Sequence, residues 1–262
     1  MNNVLIVTRP NPGPGTQRIF NELKNFGASP DWYFPGFSRP VFADVILSRL
    51  RGDEMGIDIM LNGFSELVEM APIETKVVNP PHSVRVATSK QHQLSVYRAE
   101  SIPFPRTIRI TPSTELSQVT ALLGLPLIVK KDVALEGQGV FFVGSLEDLR
   151  NLVAVCGERE LLAQTYIPEG TQTINMVVIG KQVVAAGRSN AGAGKWKSNA
   201  AEGGVWSGHY PSFREADLAI HVCEHIGLDV GEVEIVTTEK GPLVMDVDPS
   251  PHLTIVEQVA EV

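Results

Sequence analysis

Asp246 and Asp248 stand two residues apart in the apolar run Leu243-Val244-Met245-Asp246-Val247-Asp248. In a strand, successive side chains alternate between faces, which predicts Leu243, Met245 and Val247 on one face and Val244, Asp246 and Asp248 on the other. Carboxylates this close disfavour each other's ionisation unless a positive charge lies between them, and a hard divalent cation meets that requirement. The competing reading is the solvated face of an edge strand. The stretch VEIVTTEKGPLVMDVD predicts a hairpin turning at Glu239-Lys240, which brings Glu234 opposite Asp246 or within one residue of it. Three carboxylates, Glu234, Asp246 and Asp248, then converge, and self-repulsion weighs against a bare solvated face. Three such ligands leave positions open on Mg²⁺, or on Mn²⁺ in its place, for the phosphates of a substrate.

Cations and backbone donors for phosphate occur upstream. Lys130 ends the strand-like PLIVK, Lys90 lies in a helical stretch before it, and EGQGV offers Gly137 and Gly139, where backbone N–H groups approach an anion with no Cβ in the way. A tight hairpin turn and a solvated strand-end lysine are the ordinary readings of those two features. No G-x-x-x-x-G-K-[ST] occurs, which excludes a P-loop, and PNPGPG after the first strand lacks the G-x-G-x-x-G spacing of a dinucleotide fingerprint.

The elements that must hold these residues are legible from periodicity. NVLIVT, the loop RPNPGPG and TQRIFNELKNFGA read as strand, loop and helix, the opening of an α/β layer, with ADVILSRL and KVVNPP as further strands. SVRVATSKQHQLSVYRAESI reads as one polar amphipathic helix ending before Pro103. PLIVKKD and VFFVGS are strands, SLEDLRNLVAVCG is a helix capped by Ser145 with Asp148 three residues on, and ELLAQTYI is a strand. TINMVVI and the segment after Gly180-Lys181 form a strand pair, followed by the Gly/Ala/Asn-rich loop 189–204 and the helix FREADLAIHVCEHIG.

Composition bounds the function. The chain has 262 residues, 43% hydrophobic and 20% charged, enough for several packed subdomains. A net charge of −8 argues against a nucleic-acid partner, and no apolar run is long enough to span a membrane. Two cysteines in helical stretches read as reduced thiols, and MNNVLIVTRP lacks a basic leader, so a cytoplasmic protein is expected. His221 and His225, four apart on one helix, lack a third ligand in that pattern; His252 lies nearest the carboxylates.

Taken in order, NPPHSVRVATSKQHQL, PLIVKKDVALEGQGVFFV, LLAQTYI, VVIGKQVVAAGRSN, KWKSNAAEGG and VEIVTTEKGPLVMDVDPSP resemble the ATP-grasp superfamily, and within it the RimK-type carboxylate–amine ligases. The likeness runs from about residue 79 to 255. It implies an α/β fold of α+β subdomains: an N-terminal α/β pre-ATP-grasp domain at 1–83, a linker helix and start of the grasp at 84–125, a small subdomain with the glycine-rich loop at 126–168, and a C-terminal subdomain with the metal site at 169–262. It implies ATP as cofactor and a small-molecule or peptide carboxylate plus an amine as substrates. It also implies a homo-oligomer.

Carried over by position, Lys90 and Lys130 match the family's phosphate-contacting lysines and Gly137 and Gly139 its mobile loop. Gln164, Thr165, Tyr166 and Ile167 match the segment whose backbone reads the adenine edge. Glu234, Asp246 and Asp248 match the metal ligands. Asn199 matches a loop asparagine near the reacting group, and Lys197 stands where the family has arginine. Thr173 and Asn175 stand where an acidic ribose contact and an arginine are common. Asp248 replaces a neutral asparagine, which adds a charge. The implied chemistry is ATP activation of a carboxylate to an acyl-phosphate, then displacement by an amine with release of ADP. A nucleotide-binding protein with lost or altered activity is the alternative, motivated by Lys197, Asp248 and Thr173.

Overall fold

A computed structural model describes residues 2–36, 42–52, 56–133, 139–157, 161–192 and 205–252. The N-terminal layer alternates strand and helix: β1 (Asn3–Val7), α1 (Pro14–Asn25), β2 (Ser29–Tyr33), β3 (Val45–Ser48), α2 (Ile57–Met70) and β4 (Lys76–Val78). Its strands pair in parallel in the order β2-β1-β3-β4. The order reverses direction between β1 and β3, so the crevice beyond their C-terminal ends is the topological switch point of this sheet. Val4 to Val7 are buried, the near-continuous apolar run that a covered parallel strand requires. Pro14 opens α1, where a missing N–H costs nothing.

Two helices follow, α3 (Pro81–Thr88) and α4 (Lys90–Ala99). The single helix expected over this stretch is broken at Ser89, whose backbone is extended (φ −109°, ψ 118°). Ser89 is the N-cap of α4, its hydroxyl accepting from the His92 N–H. The break makes Lys90 the first residue of a new helix.

The second sheet holds β5 (Thr107–Ile110), β6 (Leu127–Lys131), β7 (Val140–Val143) and β8 (Leu161–Thr165), antiparallel in the order β5-β8-β6-β7. Helices α5 (Leu116–Leu123) and α6 (Leu146–Cys156) cover one face through Leu123, Val129, Leu149 and Leu161. Ser145 caps α6 through the Asp148 N–H, as its sequence predicts.

The third sheet comprises β9 (Gln172–Ile179), β10 (Gln182–Asn190), β11 (Val205–Gly208), β12 (Val230–Thr238) and β13 (Gly241–Asp248), in the order β11-β10-β9-β12-β13. Helix α7 (Phe213–Ile226) packs on it, started by a Ser212–Glu215 capping box and ended by Gly227 in the left-handed region. Met176, Val222, Val233 and Ile235 are fully enclosed in this core, each worth about 1.5–3 kcal/mol of burial. Leu94 and Tyr97 of α4 and Leu162 of β8 join the same cluster, so one core fixes the second sheet against the third.

Candidate active site between the two sheets

Glu234 lies directly opposite Asp246 in the β12–β13 ladder, as the hairpin predicts. Asn175 of β9 is Glu234's partner on the other side, so Asn175, Glu234 and Asp246 form one cross-strand row. The strict alternation expected along β13 fails. A bulge follows Glu234, with Ile235 opposite Val244, and Met245 is the extra residue. Val244 therefore shares the core with Val247 instead of pointing with Asp246. The Met245 carbonyl accepts a 3.1 Å bond from Lys130 Nζ, which ties the second sheet to the third across the gap.

Lys90 reaches the same place from α4, its Nζ 3.2 Å from Asp246 Oδ2. Asp132, just beyond β6, orients that helix start: its carboxylate accepts from Ser89 Oγ and from the Gln91 N–H at 2.8 Å, and its carbonyl accepts from the Lys90 N–H. A carboxylate at a helix N-terminus is favoured by the helix dipole. Gln93, buried in α4, donates to the Val247 carbonyl and to Asp246 Oδ1. Neither Asp132 nor Gln93 stands out from the sequence pattern; the available signal for Asp132 is an acid directly after the lysine-bearing strand. A cavity of about 480 Å³ opens beside α4, with Gln91, Arg98, Arg109 and Asp132 in its wall.

Burial alone raises the Asp246 carboxyl, but Lys90 and Lys130 outweigh it and hold it below the usual carboxylate value. Glu234 moves the other way: burial raises it, the Asp246 charge raises it further, and the Thr173 hydroxyl and Lys130 oppose only in part. Burial pulls the Lys130 ammonium down, against the pull of Asp246. The group is thus short of fixed positive charge at Glu234. A pair of adjacent hard oxygen donors, one of which has its ionisation opposed by desolvation and by its neighbour's charge, fits a divalent cation.

Two of the three expected metal ligands, Glu234 and Asp246, are cross-strand partners, and the third, Asp248, has its own set of contacts. Among the described residues no group of three acidic, histidine or cysteine side chains is disposed to hold a metal ion. Asp248 is engaged elsewhere, because its Oδ2 accepts from Arg51 Nη2 at 2.5 Å and Nε at 3.0 Å, and its Oδ1 accepts from the Ser250 N–H at 2.8 Å. Arg51 and Arg49 lie in the loop after β3, at the switch point of the first sheet. Arg49 donates to the Pro251 carbonyl, and burial brings its guanidinium down to about 10 against the pull of Asp248, still protonated at neutral pH. RLRG, the loop that carries both arginines, follows β3 at the switch point, where loops of a parallel sheet face a cleft.

The remaining expected residues are placed as follows. Thr173 is buried on β9 and hydrogen-bonds Glu234, so its side chain supports the carboxylate row. Gln164 is buried with its amide on Thr107 Oγ1, the Thr165 N–H donates to the Arg106 carbonyl, and the Ile167 carbonyl accepts from the Gly170 N–H. Tyr166 meets Phe142 edge-on, ring centres 5.4 Å apart. The Gly139 carbonyl accepts from the Lys131 N–H. Gly137, Lys197 and Asn199 lie outside the described residues. His252 lies against Arg51 and Glu232, while His225 pairs with Glu100 and contacts the His221 ring. Cys223 is buried, its thiol pushed up to about 12 by desolvation. No helix among the described residues is long and apolar enough to cross a membrane.

A lysine from each of two elements reaches the strand of Asp246 between two antiparallel sheets, and comparison with known proteins gives the class of this fold. The sequence pattern of the RimK-like ATP-grasp domain matches residues 87–262, so the chain belongs to that family. It is an ATP-dependent, ADP-forming ligase of the carboxylate–amine class. A probable alpha-L-glutamate ligase of Citrobacter koseri is 30% identical over 234 residues, 88% of this chain and 76% of the relative. The fold is similar to a RimK domain ATP-grasp protein from Sphaerobacter thermophilus (TM-score 0.74, 17% identity, 97% of this chain and 94% of that one). It is equally similar to a D-alanine–D-alanine ligase from Bacillus anthracis solved with ATP (TM-score 0.74, 15% identity, 100% and 91% covered).

Proposed function

We propose that Lys90, Lys130, Glu234 and Asp246 form the metal–phosphate site of ATP in this ligase, with Gln164 to Ile167 along the adenine and Thr173 behind the carboxylates. The observation that carries this reading is the convergence of Lys90 Nζ on Asp246 and of Lys130 Nζ on the adjoining Met245 carbonyl, opposite Glu234. Glu234 and Asp246 would hold Mg²⁺ or Mn²⁺, which when bound offsets the charge on the phosphates. The lysines do the same from fixed positions in a partly dehydrated gap, where each is worth more than in water.

Lys197 and Asn199 are our candidates for the loop that meets the acyl-phosphate, and Gly137 and Gly139 for the loop over the phosphates. The carboxylate and amine are small molecules or peptide groups, and glutamate heads the panel because a relative is named for it. Two free thiols support a cytoplasmic enzyme. The subdomain division at 83, 125 and 168 belongs to the same proposal.

The test is ADP release over a panel of carboxylate and amine pairs. Release that needs both partners supports the ligase. Tight ATP binding with no pair giving turnover contradicts it.

A further inference from the structure

Asp246 and Asp248 are two residues apart on one strand, yet their partners differ in kind. Both carboxylates have both oxygens engaged: Asp246 Oδ1 accepts from the Val247 N–H at 3.0 Å and the Gln93 amide at 3.3 Å, but its Oδ2 meets only one flexible lysine, at 3.2 Å, and 37% of the side chain is exposed. Asp248 is engaged at both oxygens, Oδ2 by two guanidinium N–H groups at 2.5 and 3.0 Å and Oδ1 by a backbone N–H at 2.8 Å. Short charge-assisted bonds from a planar guanidinium are among the strongest available to a carboxylate, and a lysine's point charge on a rotatable stem is more easily exchanged.

The guanidinium is itself anchored. The Arg51 carbonyl accepts from Arg9 Nη2 at 2.8 Å, and the Arg51 side chain lies against both His252 ring nitrogens. The next residue, Gly52, sits so close to α3 and the end of β6 that an added Cβ would lie 3.1 Å from Thr88 Cβ and 3.3 Å from Val133. The loop therefore has little room to withdraw Arg51. The other end of the contact is stapled too: Asn79, almost fully buried just after β4, donates to the Val230 and Pro249 carbonyls and accepts from the Val230 N–H.

We infer that this site takes one divalent cation, held by Glu234 and Asp246, and that Arg51 withholds Asp248 from it, supplying from the N-terminal sheet the standing positive charge at that position. The inference rests on the metal–nucleotide site proposed above. Arg51 is then a positioning residue that couples the switch point of the first sheet to the metal strand.

The experiment counts Mn²⁺ bound per chain by electron paramagnetic resonance, on the full chain with a non-hydrolysable ATP analogue. Wild type is expected to bind one ion and Arg51→Lys one. Arg51→Met frees Asp248 and is expected to bind a second ion, or the first at least about tenfold tighter. Should Arg51→Met fail to fold, Asp248→Ala serves instead: it removes the oxygen donors and is expected to keep one ion with a Kd within about threefold of wild type. Two ions in wild type, an unchanged Arg51→Met, or a loss of tenfold or more in Asp248→Ala overturns the inference while leaving the nucleotide site standing. No saturable Mn²⁺ in wild type overturns the nucleotide site itself, and this inference with it.

Discussion

Two groups of charge meet the same strand and are built on opposite plans. The group between the second and third sheets, Lys90, Lys130, Glu234 and Asp246, is underfilled: a carboxyl raised by desolvation and by its neighbour, and an ammonium lowered by burial. The group at the border of the first sheet, Asp248, Arg51, Glu232 and His252, is filled: both Asp248 oxygens are taken, and Glu232 accepts from the His252 N–H at 2.8 Å. The difference teaches where to look for a ligand. A site that must bind an ion leaves its own charges unbalanced, and a clamp between layers balances them internally.

The largest effect should come from emptying the unbalanced group. Lys130→Met is expected to lower kcat/KM by about 100-fold or more, since it removes a fixed cation from the proposed phosphate site. Lys131→Met, next along the strand, should change it only a fewfold, which steady-state kinetics on both variants will check. A larger loss at Lys131 would mean that the charge of the strand end, and not its direction, is what matters.

The clamp should respond in stability. Asp248→Asn breaks a part-buried pair (21% and 25% side-chain exposure) and leaves Arg51 without its carboxylate. A loss of about 1–3 kcal/mol in denaturant unfolding is expected, below the figure for a fully buried pair because solvent screens these groups. Glu234→Gln should go the other way in the ligand-free protein. A carboxyl whose pKa is raised in the folded state costs stability as pH rises through that pKa, so removing it should raise Tm at pH 7 while weakening Mg²⁺–ATP binding. A fall in Tm would show that Glu234 is already compensated.

How much of this was legible in the sequence follows from which forces are local. The β12–β13 hairpin and the opposition of Glu234 and Asp246 were readable because turn position and register are set within fifteen residues. The bulge at Met245 was not, because MDVD alternates as well as any regular strand and the extra residue is fixed by Lys130 and by the core around Val244. The break at Ser89 was written in a serine but hidden by the helical spacing on either side; Asp132, 43 residues away, completes it. Arg51 was the least legible: it and Asp248 are separated by 197 residues, and no periodicity relates them. The family resemblance supplied the expected roles of Lys90 and Lys130, but nothing in it points to Arg51, whose guanidinium meets Asp248 at the third expected metal position.

The smallest effect concerns a carboxylate in the first turn of α7, on the helix that covers the same sheet, and it is filled like Asp248. Burial alone raises Glu215, but the Thr237 hydroxyl, the Ser212 N–H and His209 together hold it below its usual value. Such a group stabilises above the unfolded carboxylate range near pH 4.3, and that contribution is lost as pH falls through the folded value. Tm should therefore drop more steeply below about pH 4.5 in wild type than in Glu215→Gln. Parallel Tm–pH curves would contradict that assignment.

The central claim is that the underfilled group is a metal–nucleotide site, and calorimetry of ATP binding with and without Mg²⁺, on wild type and Asp246→Asn, tests it most directly. The account predicts saturable, Mg²⁺-dependent binding by wild type and a weakening of at least about tenfold in the variant. Wild-type binding that is indifferent to Mg²⁺, or an Asp246→Asn protein that binds as well as wild type, would contradict it.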